Sequence, residues 1–433
     1  MKTPFFLVAG LIFGLVVIGI ATLHSSLLTL AIPLMAYMFA AIYQRPEAIK
    51  LTVKRELSHD FAPQGTPITV KMAVINQGMA IDELIVNDIF PAGVTKTDGT
   101  SSAARIVAAQ GGLADASKVE LEYTIEAHRG EYSDYETLIY ARDFSGCFEQ
   151  ALVYRTSPRL TVHPRYPKLD RIKIRPPQTR GFAGPIAARQ GGTGIDFWSV
   201  REYQSGDPPR QINWKLSARA ERDLYTNIYE QERVADVGII VDARQRTNVV
   251  TPSGSLFDHS VRAAASLAEN FLDDGNRVSL LMYGSGLLRV FPGYGRVQQD
   301  LILKALAKAT TAVNFALENL NELPTRLFPA KSQIVLISPL MPEDTPVIVR
   351  MRAHGYSVIV ISPDPVAYES LYYKDLSSPA YRIASAERRL MLRRVRASGA
   401  QIVDWSVDHP LEITVREALA RQSVAAHQLR ISI

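Results

Sequence analysis

The densest run of chemically capable residues spans positions 200 to 219 and reads Val-Arg-Glu-Tyr-Gln-Ser-Gly-Asp-Pro-Pro-Arg-Gln-Ile-Asn-Trp-Lys-Leu-Ser-Ala-Arg. Gly206-Asp207-Pro208-Pro209 forces a tight turn, after which Arg210, Asn213, Trp214 and Lys215 offer a forked donor, an amide, a large amphipathic ring and an ammonium. Acid–base or nucleophilic catalysis would need a group partnered with Asp207, and no His or second acid is placed beside it as a partner. The run reads as a docking or buckling element, its mixed charges and ring suited to ion pairs and stacking at a domain junction.

Other candidate sites are weaker. Gly191-Gly192-Thr193-Gly194 invites a phosphate loop but lacks the Gly-Lys-Ser/Thr ending and does not join an apolar strand to a helix, so flexible turn chemistry is expected. Glu120, Glu122 and Glu126 fall on one face of a strand and read as solvated. Cys147 is the one cysteine, which rules out an internal disulfide or thiolate cage; among apolar neighbours it reads as a small buried hydrophobe. No cofactor is expected.

The elements that position these residues follow from periodicity. Residues 5–23 carry no charge, and at 1.5 Å per residue they nearly cross a hydrocarbon core of about 30 Å; residues 27–43 form a second uncharged run containing Pro33. A transmembrane hairpin over 1–45 is expected in preference to a cleaved signal peptide, because the second run stands directly behind the first. Lys2 precedes the spans, their connection holds no Lys or Arg, and Arg45, Lys50, Lys54 and Arg55 follow. That asymmetry predicts a two-span protein of the cell membrane with its bulk in the cytoplasm.

Over 46–165 the period changes to two, most clearly at 119–127, and strands are predicted at 49–57, 67–76, 81–89, 132–141, 147–154 and 160–163, a small Ig-like β-sandwich. Between 155 and 189 nine Lys/Arg face one acid, a local charge of +8 in a chain whose total is +5. This Pro-rich segment opens a basic linker and motif region, 166–235. It is suited to a solvated linker, anionic lipid or an acidic partner, and the lack of interleaved aromatics argues against nucleic acid. From 236 to 433, apolar runs at 237–242, 278–283, 333–338, 357–362 and 400–405 alternate with helical patterns at 260–274, 296–310, 385–397 and 411–425, implying a doubly wound α/β domain. Tyr283-Gly284-Ser285-Gly286 predicts a tight hairpin. The helix carrying Arg388, Arg389, Arg393 and Arg394 is expected to cover the sheet with Leu390, Leu392 and Val395 inward and its arginines in water.

Arg201, Tyr203, Gly206, Asp207, Arg210, Asn213, Trp214, Ala218 and Arg219, followed by Glu230-Gln231-Glu232 and a strand ending in Asp242, closely resemble the signature of the DUF58 family. These are membrane-anchored proteins with a von Willebrand factor A-like domain. The resemblance extends over the hairpin, the β domain and the C-terminal domain. The chain is expected to be a membrane-tethered, non-enzymatic protein-binding adaptor, and the resemblance implies its partner, a MoxR-type AAA+ ATPase, in assembly or remodelling of membrane or envelope complexes. Many A domains hold Mg²⁺ through an Asp-x-Ser-x-Ser loop and a later Asp. Here the loop is Asp242-Ala243-Arg244-Gln245-Arg246 and Pro339 stands where the later acid is expected, so no metal is predicted. Asp242 is left to pair with Arg244, Arg246 or the motif's cations. The alternative is a membrane-associated enzyme whose cleft between motif and A-like domain holds Asp207, Asp242 and Lys215.

Overall fold

The computed structural model describes residues 3–43, 49–107, 117–143, 145–170, 172, 186–219, 223–252, 254–324, 327–373 and 379–418. Two compact units divide the chain, Met1–His163 and Pro164–Ile433.

The first unit opens with the helices Thr3–Thr22 and Ser25–Tyr43, both long and apolar enough to cross a membrane. They are joined at Leu23, whose φ is +55°. Pro33 lies inside the second helix. Two four-stranded antiparallel sheets follow, one ordered Leu51–Leu57, Ile68–Asn76, Lys118–Ala127, Val94–Gly99, the other Glu149–Thr156, Tyr135–Arg142, Ile81–Ile89, Ser102–Val107. They share one core that includes Val70, Met72 and Val74 from the first and Leu84, Val86, Ile139 and Ala141 from the second. The alternation at 119–127 behaves as its pattern demands: Val119, Leu121, Tyr123, Ile125 and Ala127 are buried, while Glu120 and Glu122 sit outside, beside Lys118 and Lys71.

Three differences have physical causes. Val94–Gly99 and Ser102–Val107 carry no alternating apolar pattern; in the first only Val94 is buried, as befits an edge strand. The run expected at 132–141 is broken, since Tyr132 ends the short strand Gly130–Tyr132 and the long strand begins at Tyr135. Arg55, counted above among the cations flanking the helices, is buried between the sheets. It is paired with Asp88 and donates to Thr156 Oγ1 at 2.9 Å and Thr137 Oγ1 at 3.2 Å. Tyr123 donates to the other Asp88 oxygen, and the Arg55 guanidinium lies 4.7 Å over the Tyr135 ring. Its charge is neutralised inside the fold, which leaves exposed Lys50 and Lys54 as the described cations after the hairpin.

In the second unit the antiparallel ribbon Ile186–Glu202 with Tyr225–Arg233 precedes a six-stranded sheet. Gly191–Gly194 lie within the first ribbon strand and not in a turn; Gly191 and Gly192 pair with Glu230 and Tyr229, between two register shifts. The sheet runs Leu287–Gly293, Arg277–Tyr283, Asp236–Asp242, Gln333–Ile337, Ser357–Pro363, Gln401–Trp405, with only the first of these antiparallel to its neighbour. Numbered along the chain, the order is 3-2-1-4-5-6, so the winding direction reverses between Asp236–Asp242 and Gln333–Ile337. The helices Leu256–Asp273, Gly295–Ala307, Thr345–Ala353 and Pro379–Ala397 bury apolar faces.

The described start of the basic segment is held in place. Ser266 Oγ donates to the Pro167 carbonyl at 2.8 Å, Asn270 Nδ2 to the carbonyls of Leu169 and Asp170, and Lys168 pairs with Asp273. Residues 166–172, where described, are a strap along the helix Leu256–Asp273, and part of the local positive charge is answered by that helix.

Candidate functional site

In open α/β sheets the crevice beyond the carboxyl ends of the strands, where winding reverses, is where ligands bind. Here that position is bounded by Asp242 and Ser338, and a buried arginine fills it. Arg244 Nε and Nη2 donate to the two Asp242 carboxylate oxygens at 2.9 and 2.8 Å, and Nη1 and Nη2 donate to those of Asp344 at 3.0 and 2.7 Å. Ser338 Oγ donates to Asp242 at 2.6 Å, and the Met341 amide to Asp344 at 2.8 Å. All three charged side chains are at most 1% exposed.

Close approach of the backbone makes this geometry possible. The Ala243 amide donates to the Tyr283 carbonyl at 2.7 Å, drawing the loop against Gly284. Gly284 has φ +129°, and a Cβ there would stand 2.3 Å from the Arg244 amide nitrogen, so only glycine fits. Burial works against the charge of Arg244, but its hydrogen bonds to Asp242 and Asp344 outweigh it and hold the guanidinium's pKa above its ordinary value. Burial likewise pushes the Asp344 carboxyl above the usual carboxylate range, and Arg244 draws it only part of the way back.

These residues do not fit a divalent ion, since a fixed guanidinium already lies between the two carboxylates. Among the described residues no group of three or more His, Cys, Asp or Glu side chains converges elsewhere. Asp344 reaches the site from beyond Pro339, after the loop turns through Leu340 at φ +64°. The signal that could have revealed it is Pro342-Glu343-Asp344 ahead of the helix Thr345–Ala353, an acidic helix start at the end of a buried strand. Arg246 takes no part in this cluster; it pairs with Glu343 and donates to Asn319.

A second buried arginine continues the network along the same edge. Arg388 donates to the carbonyls of Pro339 and Ser362 and to Asp404 at 2.7 Å, and pairs with Asp364 at 3.2 Å. The expected orientation of its helix is corrected: Leu392 and Val395 face inward, but so does Arg388, while Leu390 is 50% exposed. Four carbonyl or carboxylate oxygens at the strand ends outweigh one leucine's burial at that position. Beside Trp405 and Tyr368 lies His259, whose pKa burial depresses to about 4.

The 200–219 run forms the end of the ribbon. Arg201 Nη2 donates to Asp207 at 2.6 Å, and the Gln204 amide donates to its other oxygen at 2.9 Å, which hold the Asp207 carboxyl below the usual range. Gly206 takes φ +108° in the turn. The half-buried Tyr203 is tied through its amide to the Leu224 carbonyl. Asn213 caps the short helix Trp214–Ser217 by accepting from the Leu216 amide, and its amide donates to Asn227 at 2.8 Å. The ion-pair part of the expectation is seen, but the stacking part is not: Trp214 is 65% exposed, and Arg210, Lys215 and Arg219 are exposed too. Of the residues considered for an enzymatic cleft, Asp207 is taken by Arg201 and Asp242 by Arg244 and Ser338.

Residues 199–367 match the model of a family described as a protein of unknown function, DUF58. The chain is 26% identical over 156 residues to the uncharacterized protein YeaD of Bacillus subtilis, covering 36% of this chain and 37% of that protein. It is 24% identical over 276 residues to the uncharacterized protein Rv1480 of Mycobacterium tuberculosis, covering 55% and 83%. The chain thus spans little more than a third of YeaD and most of Rv1480. Among solved structures, the crystal structure of a FixG-related protein from Vibrio parahaemolyticus matches at 14% identity over 26% of this chain and 96% of that one, with a TM-score of 0.16, too low to bear on the fold. The ribbon end, Asp242, Arg244 and Asp344 all lie inside the 199–367 match.

Proposed function

We propose that this protein is a membrane-tethered, non-enzymatic adaptor: a two-span anchor, an Ig-like β domain and a von Willebrand factor A-like domain that binds protein on the cytoplasmic side. The partner that its resemblance to the DUF58 family favours is a MoxR-type AAA+ ATPase, acting in assembly or remodelling of membrane or envelope complexes. The observation that carries the reading is the exposed Trp214, fixed on a turn that Asn213 and the Arg201–Asp207 pair stiffen, with Arg210 and Lys215 beside it. A rigid exposed indole flanked by cations is the composition of an interface anchor. The filled switch point supports the rest of the proposal, since Arg244 supplies internally the positive charge that adhesion-type A domains borrow from a metal ion, and docking would need no divalent cation.

The test is a crosslinked capture from native membranes, comparing the intact chain with Trp214→Ala/Lys215→Glu. Both side chains are exposed, so the variant should melt with the intact protein. Recovery of an AAA+ ATPase by the intact chain, unaffected by EDTA, and its loss with the variant are expected. Equal recovery by the variant, or no ATPase with either, overturns the proposal.

A further inference from the structure

We propose that the β-sandwich stands end-on on the bilayer, with the turn at 77–80 and the half-buried Ser145 and Gly146 at the lipid headgroup boundary. This rests on reading the two N-terminal helices as a membrane anchor. Phe5, in the first turn of one helix, and Ala41, in the last turn of the other, mark the open end of the hairpin. Cys147 and Phe148 pack against both, with the Phe5 and Phe148 rings 5.5 Å apart. Helices of 20 and 19 residues match a hydrocarbon core of about 30 Å, so residues within one turn of their ends lie within about 5 Å of its boundary. Residues 143 and 145–148 are therefore held at interface depth. They form a built turn: Asp143 accepts from the amides of Ser145 and Phe148, and Gly146 has φ +65°.

Strand register carries a second turn to the same end. Glu83 pairs with Arg142 and Leu51 with Asn76, so the connection from Asn76 to Ile81 flanks the 143–148 turn and the chain's entry from the helices. At its tip Met79 is 67% exposed. Its presentation is deliberate, because the buried Asn76 side chain donates to the Met79 carbonyl at 2.7 Å and accepts from the Gly78 amide at 3.0 Å. Tyr43, the last residue of the second helix, is 83% exposed at the same end, and tyrosine favours this boundary. The opposite end holds Ser58–Asp60 and the exit at His163, separated by strands such as the nine-residue Ile68–Asn76, roughly 30 Å long. The sandwich then acts as a pedestal that holds its own far end, at Ser58–Asp60 and His163, roughly 30 Å above the lipid.

The test uses the full chain in phosphatidylcholine vesicles with an environment-sensitive fluorophore on Met79→Cys, His59→Cys or Phe13→Cys. Cys147 is retained, since at 2% exposure it is shielded from the reagent; labelling of the unsubstituted chain checks this. The expected result is quenching at 79 by spin-labelled lipid and shielding from aqueous iodide roughly threefold or more relative to 59, as for a group sunk several ångströms into the boundary. Position 13, mid-helix, is quenched by deep lipid labels. Equal iodide access at 79 and 59 with quenching at 13 overturns the pedestal while sparing the anchor; no lipid quenching at 13 overturns the anchor and the pedestal with it.

Discussion

Replacing Arg244 by Met tests the reasoning about the carboxyl edge most directly. The substitution keeps much of the volume but leaves Asp242 and Asp344, both essentially inaccessible, without their counter-charge. Removing one partner of a buried ion pair costs about 3–5 kcal/mol, because a buried charge is left uncompensated. For a domain of this size each kcal/mol moves the melting temperature by about 2–4 °C, so the second unit should melt about 6–20 °C lower at pH 7.5. The sign of the pH dependence follows from Asp344. Its folded pKa is raised already, so the fold favours its protonated form, and the contribution is present at low pH and lost as pH rises. Without Arg244, burial, the largest influence, and the Asp242 charge are opposed only by the Met341 amide and push it higher still. The penalty of Arg244→Met should therefore shrink as pH falls through the carboxylate range. Calorimetry of intact and variant chains at pH 7.5 and pH 5 reads both effects, and Arg244→Met/Asp242→Asn/Asp344→Asn should recover part of the loss. A drop below about 2 °C at pH 7.5, less than 1 kcal/mol, or an equal drop at both pH values would refute the argument.

Two further outcomes test other parts of the fold. Asp88→Asn strands the buried Arg55 guanidinium and should destabilise the first unit by about 3–5 kcal/mol, read as a lower denaturant midpoint; a loss within about 0.5 kcal/mol, as for a surface site, would mean the pair is not buried in solution. His259 is held neutral down to about pH 4 in the fold against an ordinary value of 6.5, so its contribution is complete above pH 6.5 and lost as pH falls toward 4. His259→Gln should flatten the stability profile of the second unit across that window, and an unchanged acid slope would show that His259 is not shielded.

The elements were legible in the sequence because each rests on local repetition. Uncharged runs produced the two long helices, strict alternation produced Lys118–Ala127, and five short apolar runs produced the parallel strands of the six-stranded sheet. The hairpin at Tyr283–Leu287 was legible for the same reason, since it joins residues within a few positions of each other. An edge strand such as Val94–Gly99 was not, because with one buried side chain it has no alternation to detect.

Asp242 with Arg244 was one of the pairings the sequence left open, but the other buried charges were decided by tertiary structure. Asp344 lies 100 positions from Arg244, Asp88 lies 33 from Arg55, and Arg388 sits on a helix whose local pattern assigns it to water. Local periodicity states which face of an element is apolar, but whether a charge can be buried depends on a counter-charge arriving from elsewhere. At the carboxyl edge that depends on strand order: the reversal between Asp236–Asp242 and Gln333–Ile337 makes their ends neighbours. The sequence alone determined that an acid ends the first strand with arginines behind it. Only the fold determined that one of those arginines turns inward, because burial of a guanidinium is tolerated when two carboxylates meet it there.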